Sequence, residues 1–234
     1  MDIESYATIA PQYYSNMVPE MLESYLLKSN ATTYLDCGCG DGNLLYSLQN
    51  KRLLNNKEVY GVDLSENRVD IVKSLNSEYH ITVDSVEDLR TIPDNIIDFL
   101  SSTQVIEHVD DEKMLTSVNR VLSDNGVVYL TTVYKKWYGW YFYRNGGRWV
   151  LDPTHIREYA HDDELISLVD KCGFVALENK KTMLWFPVID FIVKRLHIKN
   201  RKLYENKVFS LIRRISVPII GYYNWELILV KNNG

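Results

Sequence analysis

Apolar and polar positions run in two alternating periods along the first part of the chain. In "MVPEMLESYLLK", residues 17–28, the side chains of Met17, Met21, Leu22, Tyr25 and Leu26 recur at the spacing of one helix face, which predicts a helix. "TTYLD" (32–36) then reads as a short buried strand, "GNLLYSLQNK" (42–51) as the start of a helix and "EVYGVDL" (58–64) as a second strand. "SENRVDIVKSLN" (65–76) reads as a helix, with Ser65 placed as its N-cap. "HITVD", "IIDFLSST" and "GVVYLTTV" supply three more strands, and a helix over residues 111–122 precedes the last. Strands alternating with helices predict a parallel sheet covered on both faces. "YYNWELILVK" (222–231) reads as a terminal strand, and no internal repeat is visible.

One junction is unusual. "YLDCGCGDGNLL", residues 34–45, places Gly38, Gly40 and Gly42 on alternate positions between a strand and a helix. Glycine inside either element costs roughly 0.5–1 kcal/mol relative to alanine, so the stretch reads as a turn that serves a ligand. Exposed backbone N–H groups and the positive end of the helix can receive one there. Asp63 ends the next strand, 21 residues after Gly42, where an acid hydrogen-bonds ribose hydroxyls in nucleotide-binding folds. The dinucleotide fingerprint GxGxxG would need glycine at position 43, which is Asn43, and this argues against an NAD(P)-type oxidoreductase.

Composition narrows the field. A chain of 234 residues, 46% hydrophobic and 24% charged, suits one soluble α/β domain with insertions. The net charge of −5 gives no support for a nucleic-acid partner. Three cysteines make neither a disulfide framework nor a zinc-ligand pattern, so no metal is assigned and the thiols read as reduced. The N-terminus lacks the basic start and apolar run of a signal peptide, and no uninterrupted 18-residue apolar stretch follows. A cytoplasmic location is the expectation.

Taken in order, "LDCGCGDG", "VYGVDLSENRV", "ITVDSVEDL", "IIDFLSSTQVIEHV" and "SDNGVVYLTTV" resemble the successive motifs of class I S-adenosylmethionine-dependent methyltransferases, in the branch similar to ubiquinone-biosynthesis and "type 11" enzymes. The likeness covers roughly residues 6–133 and thins beyond. It implies a Rossmann-like fold with a seven-stranded, mostly parallel sheet and a C-terminal antiparallel hairpin, formed here by "FVALENKKTM" and "YYNWELILVK". As one methyltransferase domain, the chain would have a helical cap (1–30), a cofactor core (31–133) and acceptor-side insertions at 134–160 and 183–220. With S-adenosylmethionine as cofactor, the resemblance implies Asp36, Gly38, Gly40 and Gly42 around its methionine part and Asp63 on the ribose. Ser85 and Val86, with Asp84, would border the adenine, Thr103 and Gln104 would lie near the sulfonium, and Tyr13 or Tyr14 would close over the cofactor. "EDLRTIPDN" departs from the "EDLPF" of relatives, which leaves the loop beside the adenine open in length.

Methyl transfer to a hydroxyl calls for alignment and for removal of a proton, a task suited to histidine. Of five histidines, His108 follows the fourth strand in "QVIEHVDD" and His155 lies in the polar cluster "DPTHIREY". Each reads either as a base or as a structural group: His108 orienting its loop, His155 in a lead-in to the helix "HDDELISLVDKCGF". Asp152 and Arg157 are weaker candidates, Glu107 need have no chemical role, and Asp98 reads as a satisfier of local backbone groups.

Two segments bear on the acceptor. Residues 134–153, "YKKWYGWYFYRNGGRWVLDP", pack eight aromatics among four cations, which suits either stacking on a sugar or planar acceptor, or a lid packed on the body. From Lys194 to Arg214 there are eight basic residues and one acid among apolar runs. That stretch reads as a peripheral contact with an anionic inner-membrane surface or as a helical cap with a solvated basic face. The expected acceptor is a hydroxyl on a sugar, glycan or lipid-linked molecule. O- or C-methylation of a quinone-like aromatic, and a catalytically silent adenosyl-ligand-binding protein, are the alternatives.

Overall fold

The computed structural model of the chain describes residues 17–196, 198, 203 and 206–232. Its elements follow the expected alternation: α1 (Glu20–Lys28), β1 (Thr33–Cys37), α2 (Asn43–Asn50), β2 (Glu58–Asp63), α3 (Glu66–Leu75), β3 (His80–Val83) and β4 (Ile97–Thr103). A single 3-10 turn (Ile106–His108) leads into α4 (Asp111–Val121) and β5 (Leu122–Lys135). A short hairpin, β6 (Tyr143–Asn145) and β7 (Arg148–Val150), precedes α5 (Asp162–Lys171). The chain closes with β8 (Phe174–Pro187), α6 (Val188–Arg195), α7 (Lys207–Arg213) and β9 (Ser216–Lys231).

The main sheet has seven strands in the order β3-β2-β1-β4-β5-β9-β8. The first five are parallel, and β9 and β8 add to β5 as an antiparallel pair. Side-chain alternation along a strand sends neighbours to opposite faces, and two cores result. Tyr34, Phe99 and Tyr129 pack with α1, α2 and α3 on one face. Their neighbours Leu35, Leu100 and Leu130 pack with α4 and α5 on the other. Ser65 caps α3 as expected, its Oγ accepting from Arg68 N. Asp98 accepts from Thr32 N, Thr32 Oγ1, Thr33 N and Ser123 Oγ, which ties β1 to β4 and β5 and gives it the structural part foreseen for it.

Three boundaries differ from expectation. Strand β5 begins at Leu122 rather than at Gly126, because Leu122 pairs with Ile97 before a bulge resets the register at Phe99 and Val127. Turn-like "SDN" is absorbed into a strand by its neighbour. The terminal hairpin is longer on both strands than foreseen, so the supposed insertion 183–220 starts and ends in strand: Trp185, Phe186 and Pro187 pair with Pro218, Val217 and Ser216. Between those strand ends lie the helices α6 and α7. The aromatic insertion contains β6 and β7, joined across Gly146 and Gly147, both of positive φ. Glycines at both centre positions of a two-residue hairpin loop were the available signal.

Candidate active site

Every parallel strand ends on the same edge of the sheet, and the expected site residues collect there. Gly38, Gly40 and Gly42 have φ of 79°, 52° and 76°. A Cβ on Gly38 would lie 2.5 Å from Val105 Cγ2, while one on Gly40 would meet nothing within 4 Å. Gly38 thus lets the loop pack against the end of β4, and Gly40 leaves an open cradle. Asp63, buried at the end of β2, accepts from Gly40 N at 2.9 Å and from Ser65 N at 3.0 Å. It therefore shapes the glycine loop and also starts α3.

Asp36 sits beneath the loop, fully buried, and accepts from Ser101 Oγ at 2.7 Å. Since Ser101 spends its proton there, Tyr34 OH donates to Ser101 Oγ at 2.6 Å. Burial raises the Asp36 carboxyl to about 7, and the neighbouring negative charge of Asp63 pushes the same way. Two crowded acids at a glycine loop favour a cationic ligand. They disfavour an anionic pyrophosphate. Asn43 Oδ1, at the start of α2, is buried without a hydrogen-bond partner among the described residues. An open cradle, paired acids and an unsatisfied acceptor fit the positively charged methionine end of S-adenosylmethionine.

The adenine-side residues are brought to the same edge. Asp84 accepts from Ser85 N through Oδ1, and from Thr91 N and Oγ1 through Oδ2. The "EDLRTI" departure is thereby folded back onto β3, with Ser85 half-buried and Val86 buried beneath it. Thr103 ends β4, and Gln104 follows with φ 56°, a left-handed conformation for a non-glycine residue. Its side-chain Nε2 donates to Asn224 Oδ1 of β9 at 3.0 Å. Tyr13 and Tyr14 lie outside the described residues.

His108 and His155, 47 positions apart, meet edge-on with ring centroids 4.7 Å apart. Backbone bonds from Ile156 N and Arg157 N to Glu107 O clamp the second segment against the 3-10 turn. Thr154 Oγ1 gives its proton to Asp152 Oδ1, so it accepts from His108 Nδ1 at 2.9 Å. Nε2 of that ring is then the bare acceptor. Burial lowers His108 to about 4, helped by His155 and by the Arg68 guanidinium of the glycine-loop side, so the ring is neutral. His155, buried, sets Nδ1 against Glu158 Oε1 at 2.9 Å, which fixes the orientation of its ring.

Glu107 was passed over in the sequence and proves central. It is wholly buried, accepts from Thr132 Oγ1 at 3.1 Å through Oε2, and leaves Oε1 with no hydrogen-bond partner among the described residues. Burial raises it to about 7. Ligand atoms of Glu107, His108 and His155 lie within 4.8 Å of one another, a grouping that could hold a metal ion although no ligand spacing signals one in the sequence. Glu158 was also missed as an individual: besides His155 it binds Leu151 N and Lys135 Nζ. Arg157 is drawn aside onto Asp111, and Asp152 into its turn with Thr154.

Comparison with known proteins agrees with this geometry. A protein-family model described as "Methyltransferase domain" matches residues 35–130, from β1 into β5. That match falls on the stretch that carries the glycine loop and Asp63. The chain is 28% identical over 174 residues to the mitochondrial ubiquinone biosynthesis O-methyltransferase of Candida albicans, covering 67% of the chain and 52% of that protein. It is 22% identical over 154 residues to the ubiquinone biosynthesis O-methyltransferase of Bartonella quintana, covering 62% and 61%. The chain thus spans little more than half the length of the curated relatives it matches. A putative methyltransferase from Bacillus halodurans shares the fold with a TM-score of 0.62 at 12% identity, over 91% of this chain and 99% of that one.

Proposed function

We propose that this methyltransferase transfers a methyl group to a hydroxyl of a lipid-linked or glycan-type small molecule, with His155 receiving the hydroxyl proton. The observation that carries the reading is the clustering of His155 with His108 and Glu107, on the side where the Arg68 guanidinium that acts on His108 also pairs with Asp63 of the glycine-loop site. Asp36 and Asp63 would accept from the cofactor's ammonium and ribose groups, Gly40 gives its backbone room, and Ser85 and Val86 border the adenine. Thr103 and the strained Gln104 lie where β4 delivers the chain to the reacting end. When bound, the cofactor supplies an electrophilic methyl carbon. Glu158 holds His155 in one tautomer and is a positioning residue; Thr154 does the same for His108. The names of the relatives favour oxygen as the methylated atom.

His155→Ala is expected to lower kcat by about 10²–10⁴-fold while leaving S-adenosylhomocysteine affinity unchanged in calorimetry. Wild-type turnover in that variant and in His108→Ala would remove both as bases. Tritiated methyl transfer into cell extract, followed by solvent partition, separates a lipid-linked product from a water-soluble one. No transfer at all would leave a silent binder.

The Glu107, His108 and His155 donors favour a second reading, in which they hold a divalent cation that binds the acceptor oxygen. Both rings are anchored at Nδ1, the arrangement that orients metal ligands. Loss of turnover on chelation, with recovery on adding back a divalent ion, would select it. The relatives' names also keep a quinone-like ring hydroxyl in view, to be tested as a substrate beside the extract.

A further inference from the structure

Outside the site, the molecule carries most of its exposed large apolar side chains at one end. Of the twenty-four large apolar side chains exposed among the described residues, twelve lie in 183–220 and five more in 137–143. The two groups adjoin. Gly221 has φ 78°, and a Cβ there would sit 2.5 Å from Gly139 Cα, while Lys136 N donates to Gly221 O at 2.8 Å. The loop carrying Trp137, Trp140 and Phe142 is therefore seated on the neck of the β8–β9 hairpin.

This end projects past the carboxyl edge of the sheet, since β5 stops at Lys135 opposite Tyr222 while β9 reaches back to Ser216. At the tip, α6 and α7 satisfy each other on their inner faces. Val193 packs on Phe209, and Arg213 grips buried Asp190 through Nε at 3.0 Å and a terminal nitrogen at 2.9 Å. Phe191, Ile192, Val208 and Leu211 face outward and remain exposed. A core explains the first set and leaves the second unexplained.

Charge selects the occupant. Residues 183–220 hold eight cations and two acids, a formal +6, whereas the rest of the chain holds 18 cations and 29 acids, a formal −11. One of those two acids is Asp190, already spent on Arg213. Lys207 and Arg214 are exposed beside the outward apolar residues. Apolar side chains rimmed by cations on one end of an otherwise acidic protein match an anionic bilayer, into which the former insert and toward which the latter are drawn.

We infer that the tip helices α6 and α7, with the aromatic loop at 137–143, form a docking surface for an anionic membrane, which sets the carboxyl-edge site against the lipid. The inference rests on the surface alone and stands apart from the methyl-transfer reading. It is tested by flotation of the full chain with vesicles of phosphatidylcholine alone and of phosphatidylcholine with phosphatidylglycerol. Flotation with the anionic vesicles, weakened by salt and reduced about ten-fold or more in Lys207→Glu/Arg214→Glu and in Phe191→Glu/Leu211→Glu, is expected. Unchanged thermal transitions in these surface variants show that they fold. Failure to float with anionic vesicles overturns the inference. So does a dimer, seen by light scattering, that Phe191→Glu/Leu211→Glu dissociates while vesicles remain unbound; the surface would then be covered by a second copy.

Discussion

Asp36 shows how one buried group links stability to ligand binding. Its carboxyl is raised to about 7, chiefly by burial, so the folded chain keeps a proton that the unfolded chain releases near its ordinary value. Between about pH 4 and pH 7 the folded state binds more protons, and this group lowers stability as pH rises through that window. Denaturation midpoints of wild type against Asp36→Asn are expected to diverge in slope across it. A cation placed by Asp36 favours ionisation, so S-adenosylmethionine binding near pH 6.5 is expected to release a proton. Calorimetry in buffers of different ionisation enthalpy reads that release, and Asp36→Asn should abolish it. Asp63→Ala is expected to weaken cofactor binding by about 1–3 kcal/mol, since the change removes both the proposed ribose acceptor and the Gly40 tie. These two acids were legible because each stands a fixed distance from a glycine motif in one stretch of chain. Glu107 and Glu158 were not, because nothing in "IEHV" or "IREY" says which carboxylate turns inward.

Elements add constraints that no single side chain carries. The approach of Gly221 to Gly139 leaves no room for a side chain, and positive φ at Gly221 compounds the difficulty. Gly221→Ala is expected to cost on the order of 1–3 kcal/mol, read by denaturant titration, and to loosen the aromatic loop from the hairpin. At Gly40 the added Cβ meets open space and only the positive φ opposes it, so Gly40→Ala should cost less stability than Gly221→Ala while impairing cofactor affinity. Helices and parallel strands were legible from their periods, with Ser65 marking one start correctly. Strand ends were legible only in part. Leu122 and the outer halves of β8 and β9 became strand through pairing with distant partners, which local propensity does not encode.

At the scale of the molecule, a ligand bound by the folded chain alone must raise its stability. S-adenosylhomocysteine at about 100 times its dissociation constant is expected to add roughly 2.7 kcal/mol, and NAD to add nothing; a thermal-shift comparison checks both. No helix among the described residues is long and apolar enough to cross a membrane; the bilayer contact proposed above is a surface contact at the hairpin tip.

Period, glycine spacing and the order of motifs determined the alternating fold and the cofactor side of this protein, because those features are local: each is a run of neighbours whose backbone must bend or pack in one way. The proposed acceptor side was decided by tertiary structure. His108, Glu107, His155 and Glu158 become one cluster only when the segment after β5 is clamped back onto the turn after β4. The aromatic loop and the basic hairpin tip become one surface only where two glycines let their backbones touch. Contacts across such separations follow from chain closure and packing, and a linear pattern carries no record of them.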